Sequence, residues 1–314
     1  MRRAHRRRSR SRPDRLHLSR RDAARMSTLK VGFVGLGAMG GSMAGHLHRL
    51  GLLVAVSNRT HAKAERFADE HVGVQAFLDP GALAAHCDIV VSCVTADSDV
   101  LALAEALARR AQPGFVLVDT STIASTSAKR AAEVLRAVDA DFIDAPVSGG
   151  VEGAKNGKLS VMAGSDAATL ERARPAIEAF AAKITLMGEV GAGQNTKAVN
   201  QVIVAGIAQA VCEGLALGEA LGLDADKLLP TLGAGAAANW FMDKRGATML
   251  RDEFAVGFKL QLLHKDLKIV RELALAAGVN HDIVDLSLAN YATLMGEGRG
   301  DDDTSGLIRL KRRG

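Results

Sequence analysis

The sequence predicts an α/β chain: an N-terminal parallel sheet flanked by helices, then a C-terminal all-α part joined to it by a long helix. Three observations carry this expectation. From Lys30 to about Gly188, short β-branched runs alternate with helical segments, the pattern of parallel strands linked by crossover helices. After Gly191 the strand-like runs stop, and an apolar stretch of more than twenty residues follows. Aromatic residues are only 4% of the 314, with one Trp and one Tyr, which favours close-packed helices and strands over an aromatic-rich β-sandwich. A chain of this length buries a sizeable core and suits two domains.

Each element reads in order. "KVGFVG" is a strand and "AMGGSMAGHLHRLG" a helix closed by Gly51. "LLVAVSN" is the second strand and "AKAERFADEH" the helix after it. "CDIVVSCV" and "GFVLVDTST" are buried strands with the helix "DVLALAEALARR" between them. "DFIDAPVSGG" and "LSVMAG" follow, then the helix "DAATLERARPAIEAFAA" and the strand "KITLMG". "NTKAVNQVIVAGIAQAVCEGLALGEALGL" is one long helix, and helical patterns continue nearly to the end. The expected division is a leader at 1–27, a dinucleotide-binding domain at 28–190 and a helical substrate and dimerisation domain at 191–314.

Charge is unevenly placed. Residues 1–25 hold eleven Arg against two Asp, and subtracting that +9 from the chain's +5 leaves −4 from Met26 onward. Such a leader suits nucleic acid, an anionic surface or a transit-like role. The reading taken is a disordered leader, upstream of a second start at Met26, with nucleic acid not expected as a partner. Cys87, Cys93 and Cys212 are an odd, widely spaced set, unlike a disulfide framework or zinc site, and suit a reducing, cytoplasmic setting. No metal is expected. The most apolar run, from about Val202, is broken by Gln209, Glu213 and Glu219, so no membrane span is expected.

The chemistry begins at the first turn. Gly35-Leu36-Gly37-Ala38-Met39-Gly40 fits G-x-G-x-x-G, a weak pattern alone but a strong one between a strand and a helix. Gly35 permits the turn, Gly37 lets a pyrophosphate approach the backbone, and Gly40 lets the helix pack close. The helix N-terminus then offers N–H groups to phosphate. This makes the N-terminal part a Rossmann dinucleotide-binding domain. Where NAD sites usually carry a carboxylate at the end of the second strand, this chain has Asn58, Arg59 and Thr60. Arginine with polar neighbours suits a 2′-phosphate, so NADP(H) is preferred over NAD(H), which stays possible.

Ser148, Gly149 and Gly150 offer a hydroxyl and approachable N–H groups, a fit for a carboxylate. Lys197, Asn200 and Gln201, at i, i+3 and i+4, share one helix face. Near a helix start the macrodipole and partial burial both make an ammonium easier to deprotonate, as a proton donor to a carbonyl requires.

"VGFVGLGAMGGSMA", "DAPVSGG" and "GAGQNTKAVNQ", in this order, resemble the β-hydroxyacid dehydrogenases. The resemblance runs over roughly residues 29–310, through "VGFKLQLLHKDL" and "GRGDDDTSGL". It implies that Lys197 is the acid/base and that Ser148–Gly150 holds the substrate carboxylate. It further implies that Asn200 and Gln201 help anchor substrate and that Thr122 and Lys265 lie beside the cofactor. The Arg-rich leader departs from the family pattern. The expected activity is NADPH-dependent reduction of a small carboxylate-bearing aldehyde (tartronate semialdehyde, glyoxylate or succinic semialdehyde) by a homodimer or homotetramer. The alternatives are an NAD-dependent 3-hydroxyisobutyrate dehydrogenase and, from another class, a non-catalytic dinucleotide-binding module with a nucleic-acid-binding tail.

Overall fold

The structure is a computed structural model that describes residues 29–313, so the leader expected at 1–27 lies outside the described residues. Strands β1 (Val31–Val34), β2 (Leu53–Ser57), β3 (Gln75–Phe77), β4 (Ile89–Ser92), β5 (Val116–Asp119) and β6 (Asp141–Asp144) form the main sheet. They pair in the order β3-β2-β1-β4-β5-β6, all parallel. Every residue of β1, β4 and β5 is buried, because helices cover both faces of the sheet and the strands need no polar side. Those helices include α1 (Gly40–Arg49), α2 (His61–Glu70), α3 (Asp97–Ala108) and α4 (Ser125–Arg136). Strand order reverses between β1 and β4, which opens the crevice where such sheets bind ligands.

The far edge departs from a purely parallel sheet. After β6 come β7 (Val147–Ser148), α5 (Gly150–Lys155), β8 (Leu159–Gly164), α6 (Ala167–Glu178) and β9 (Ala181–Gly188). Strand β8 runs antiparallel to β6 and β7, and β9 parallel to β8. The cause is local: β6 and β8 are joined by a loop and a six-residue helix, not by a helix that crosses a face of the sheet.

Helix α7 (Ala192–Ala220) follows, then α8 (Ala225–Gly233), α9 (Trp240–Leu250), α10 (Leu260–Ala277), α11 (Asp282–Gly296) and the short α12 (Ile308–Lys311). Ala205, Ala208, Cys212 and Leu215 of α7 pack with Leu263 and Leu267 of α10 and Leu288 and Tyr291 of α11. The small side chains on α7 let its neighbours approach closely. By length and composition α7 could cross a membrane, but half of its most apolar window is buried inside the fold, as in the core helix of a soluble protein.

Candidate active site

The glycine loop lies at the strand-order reversal. Gly35 has φ 98°, and a Cβ there would overlap the Cys93 carbonyl at the end of β4. A Cβ at Gly40 would overlap the Gly35 carbonyl, so α1 can pack against the turn only with glycine here. Gly37 faces open space, with nothing within 4 Å of where a Cβ would stand. Among the described residues nothing accepts from the N–H groups of Gly37, Ala38 and Met39. An open backbone face with free N–H groups at a helix start fits a pyrophosphate.

The three polar residues at the end of β2 take different places. Asn58 Oδ1 accepts the Leu36 N–H at 2.9 Å, and its Nδ2 donates to the Thr60 carbonyl at 2.9 Å. Its amide therefore pins the loop, with less left over for a 2′-phosphate. Arg59 extends into solvent, 86% exposed, with Asp99 at 3.9 Å. Thr60 is the N-cap of α2, yet its hydroxyl makes no cap bond. A cleft of about 440 Å³ beside Leu36, Gly37, Ala38 and Gly41 is also lined by Lys63 and Arg66 of α2. Sequence reasoning missed these two cations. They fall one and two turns after the strand end, where a helical repeat from Arg59 would have found them.

On the substrate side, Lys197 is only 7% exposed, in the second turn of α7. Its Nζ donates to the Val147 carbonyl at 2.9 Å, one residue before Ser148. Gly149 and Gly150 have φ 130° and 61°, and no described residue accepts their N–H groups. Burial lowers the Lys197 pKa, Lys265 adds to the effect, and the Asp266 carboxylate opposes it. Asn200 is half-buried on the same face and donates to Gln201 Oε1 at 2.8 Å. Gln201, expected at the substrate, sits behind it: it is 1% exposed and its Nε2 donates to Asp266 at 2.7 Å. Both ends of its amide are taken, the oxygen by Asn200 and the nitrogen by the Asp266 carboxylate.

Lys265 of α10 joins the two halves. Its Nζ donates to the Thr95 carbonyl at 3.1 Å and to the Thr122 carbonyl, and it pairs with Asp266 at 3.0 Å. Beneath the site, Asp119 and Asp144 end neighbouring strands in register. Burial pushes Asp119 up to about 6 and Asp144 up to about 7. Asp119 accepts from Ser92 and Ser121 through one oxygen, while the other oxygen has no partner. Among the described residues no group of His, Cys, Asp or Glu converges as a metal site.

The arrangement is thus a phosphate-binding turn and a buried lysine facing a Ser-Gly-Gly loop. Residues 30–188 match the NAD binding domain of 6-phosphogluconate dehydrogenase, and residues 191–311 match the NAD-binding domain of NADP-dependent 3-hydroxyisobutyrate dehydrogenase. An uncharacterised oxidoreductase of Shewanella frigidimarina is 38% identical over 90% of this chain and 98% of its own length. The 2-hydroxy-3-oxopropionate reductase of Escherichia coli is 32% identical over 90% of this chain and 96% of its own. A solved structure of Mycobacterium tuberculosis 3-hydroxyisobutyrate dehydrogenase with L-serine superposes with a TM-score of 0.82 at 29% identity, covering 90% of this chain and 99% of that one. The chain belongs to the β-hydroxyacid dehydrogenase family and is an NAD(P)-dependent oxidoreductase.

Proposed function

We propose that the protein reduces a small carboxylate-bearing aldehyde to its hydroxy acid with NADPH, and that Lys197 is the general acid. The observation that carries this reading is the buried Lys197 Nζ, held by the Val147 carbonyl beside the Ser148–Gly150 loop. The Ser148 hydroxyl and the free N–H groups of Gly149 and Gly150 take the substrate carboxylate. Asn200 adds an amide from the lysine's face, and Gln201 steadies it. A bound nicotinamide would supply hydride to the carbonyl carbon. Lys197 donates a proton to the carbonyl oxygen as charge builds there, and two of its three N–H bonds are free to do so. Gly35 to Gly40 would hold the pyrophosphate, and Arg59 and Thr60 would take the 2′-phosphate, with Lys63 and Arg66 lining the cleft beside the glycine turn. Thr122 and Lys265 close the nicotinamide side. Cellular NADP(H) pools are mainly reduced, which sets reduction as the working direction. The setting proposed is cytoplasmic, in keeping with three free cysteines.

A second reading, NAD-dependent oxidation of a β-hydroxy acid, is favoured by Asp99 standing near Arg59 and by the L-serine that accompanies the mycobacterial enzyme. The two are separated by assaying glyoxylate, succinic semialdehyde and tartronate semialdehyde with NADPH and NADH, and 3-hydroxyisobutyrate and L-serine with NADP and NAD. Higher kcat/KM for an aldehyde with NADPH is expected. Turnover only of hydroxy acids with NAD overturns the first reading.

A further inference from the structure

We infer that Asp144 is a positioning residue for the reaction: its carboxylate fastens the first turn of α7 to the end of β6 and so fixes Lys197 in front of the Ser148–Gly150 loop. The inference rests on the reading of Lys197 as the acid. Asp144 is fully buried at the last position of β6. One carboxylate oxygen accepts the Gly191 N–H and the other the Gln194 N–H, each at 2.8 Å. These are N–H groups that a helix start leaves without an intrahelical partner. The N-cap of α7 is Gly191, which has no side chain to satisfy them, so the cap is supplied by a strand 47 residues upstream. Aspartate suits the place: it has two acceptors, and its negative charge lies at the positive end of the helix dipole.

The fit leaves no slack. A Cβ at Gly193 would stand 2.8 Å from Asp144 Oδ2 and 2.7 Å from the Asp144 carbonyl, so the helix start lies directly on the strand end. Three residues further on, the Val147 carbonyl takes Lys197 Nζ at 2.9 Å. The stretch from Asp144 to Gly150 thus holds the helix start, the tip of the lysine and the proposed carboxylate loop. Tilting the first turn of α7 moves the lysine relative to the loop.

Accepting two N–H bonds requires an ionised carboxyl. Burial pushes Asp144 up to about 7, its helix N–H partners pull it back, and Asp119 on β5 raises it further. Lys129 on α4 packs at the same helix start, its Cε 3.0 Å from where a Cβ at Gly191 would stand, and β8 meets the carboxylate with Gly164 and the helix start with the Met162 carbonyl. The clamp therefore loosens as pH falls through neutrality.

The test uses the full chain with Asp144→Asn, Lys197→Met and the double variant, each read by kcat, the NADPH dissociation constant, the pH profile and the melting temperature. Asparagine keeps the shape but can accept only one of the two N–H bonds well. For Asp144→Asn we expect kcat to fall about tenfold to a hundredfold, the scale of misplacing a reacting group by an ångström, with NADPH affinity within about threefold of wild type. The basic limb of the profile should move to higher pH as water reaches Lys197 Nζ. Added to Lys197→Met, Asp144→Asn should cost less than about a further twofold, since nothing is left to position. A lower melting temperature with unchanged kcat and profile would make Asp144 a structural cap only, and fully additive losses would place its effect elsewhere; either overturns the inference. An active Lys197→Met overturns the acid assignment and this inference with it, whereas an inactive Lys197→Met beside a fully active Asp144→Asn overturns this inference alone. Should Asp144→Asn not fold, the wild-type profile decides: kcat should decline between pH 8 and 5.5 while the chain stays folded, and a flat profile there overturns the clamp.

Discussion

Replacing Lys197 with methionine isolates the proposed proton donor from everything else the residue does. Methionine keeps most of the aliphatic stem, which lies buried between α7 and β7, so little packing is lost. One hydrogen bond disappears, and the Val147 carbonyl is left unpaired, at a cost of about 1–3 kcal/mol. Against that, an ammonium whose ionised form burial already disfavours is removed. The two effects oppose each other, and the melting temperature should move by no more than a few degrees. The glycine loop belongs to another element, so NADPH affinity should stay within about threefold of wild type.

Turnover should not survive. A positioned general acid is worth ~10²–10⁴ in rate, and no other ammonium occupies the same place, because Lys265 is committed to Thr95, Thr122 and Asp266. We expect kcat to drop at least a hundredfold on the preferred semialdehyde. The pH profile should change too. Burial lowers the lysine's pKa, so wild-type reduction should lose activity on the basic side earlier than an ordinary lysine would dictate, and that limb should vanish in the variant. Stopped-flow and steady-state rates of NADPH consumption from pH 6 to 10 measure all of this. A variant that kept more than a tenth of wild-type kcat would refute the assignment and leave the family resemblance true for fold but not for mechanism.

Other predictions test the remaining parts of the reading. Arg59→Asp should lower the NADPH/NADH ratio of kcat/KM by roughly tenfold through repulsion of the 2′-phosphate, measured by paired steady-state assays. An unchanged ratio there, with a fall in Lys63→Ala or Arg66→Ala, would move phosphate reading into the cleft on α2. Val199, Ile203 and Leu217 stand 57–60% exposed along one face of α7, with Leu221 66% exposed at its C-cap. Light scattering at micromolar concentration should therefore give a dimer or tetramer, and Ile203→Asp should shift it toward monomer. For Asp119, burial raises the pKa to about 6, so the folded state holds that proton more tightly than the unfolded one. Its contribution to stability is complete below the ordinary carboxyl range and is lost as pH rises through about 6. Melting temperatures should accordingly fall from about pH 4 to about 6, and Asp119→Asn should flatten that part of the slope.

How much of this was legible before the structure divides along physical lines. Backbone rules read well at a distance: Gly35 and Gly40 are required by overlaps with Cys93 and Gly35 carbonyls that any strand-turn-helix of this shape creates. The long helix after Gly191 and the buried strands read equally well, because burial imposes a period on the sequence. Strand β3 and helix α4 were missed. The first is three residues and only part-buried, and the second opens on Ser and Thr that read as loop. The antiparallel β8 was missed because pairing direction depends on what the connection can span.

What no periodicity reveals is which partner a neutral amide chooses. Asn58 and Gln201 are both expected from the sequence as ligand contacts, and the sequence is silent on their partners within the protein. In the fold, Asn58 turns to the Leu36 N–H and Gln201 to Asp266. An amide offers a donor and an acceptor on one short plane, and the nearest unsatisfied buried group takes it, whether or not a ligand is intended. Charged groups are easier to place, because few surroundings tolerate them: a buried Lys197 must have a reason, and its reason narrows to the carbonyl beside the Ser-Gly-Gly loop. Asp144 follows the same logic in reverse. Read as part of "DAPVSGG" it was only a neighbour of the carboxylate site, and its task became visible once the helix start it holds, nearly fifty residues later in the chain, lay on top of it.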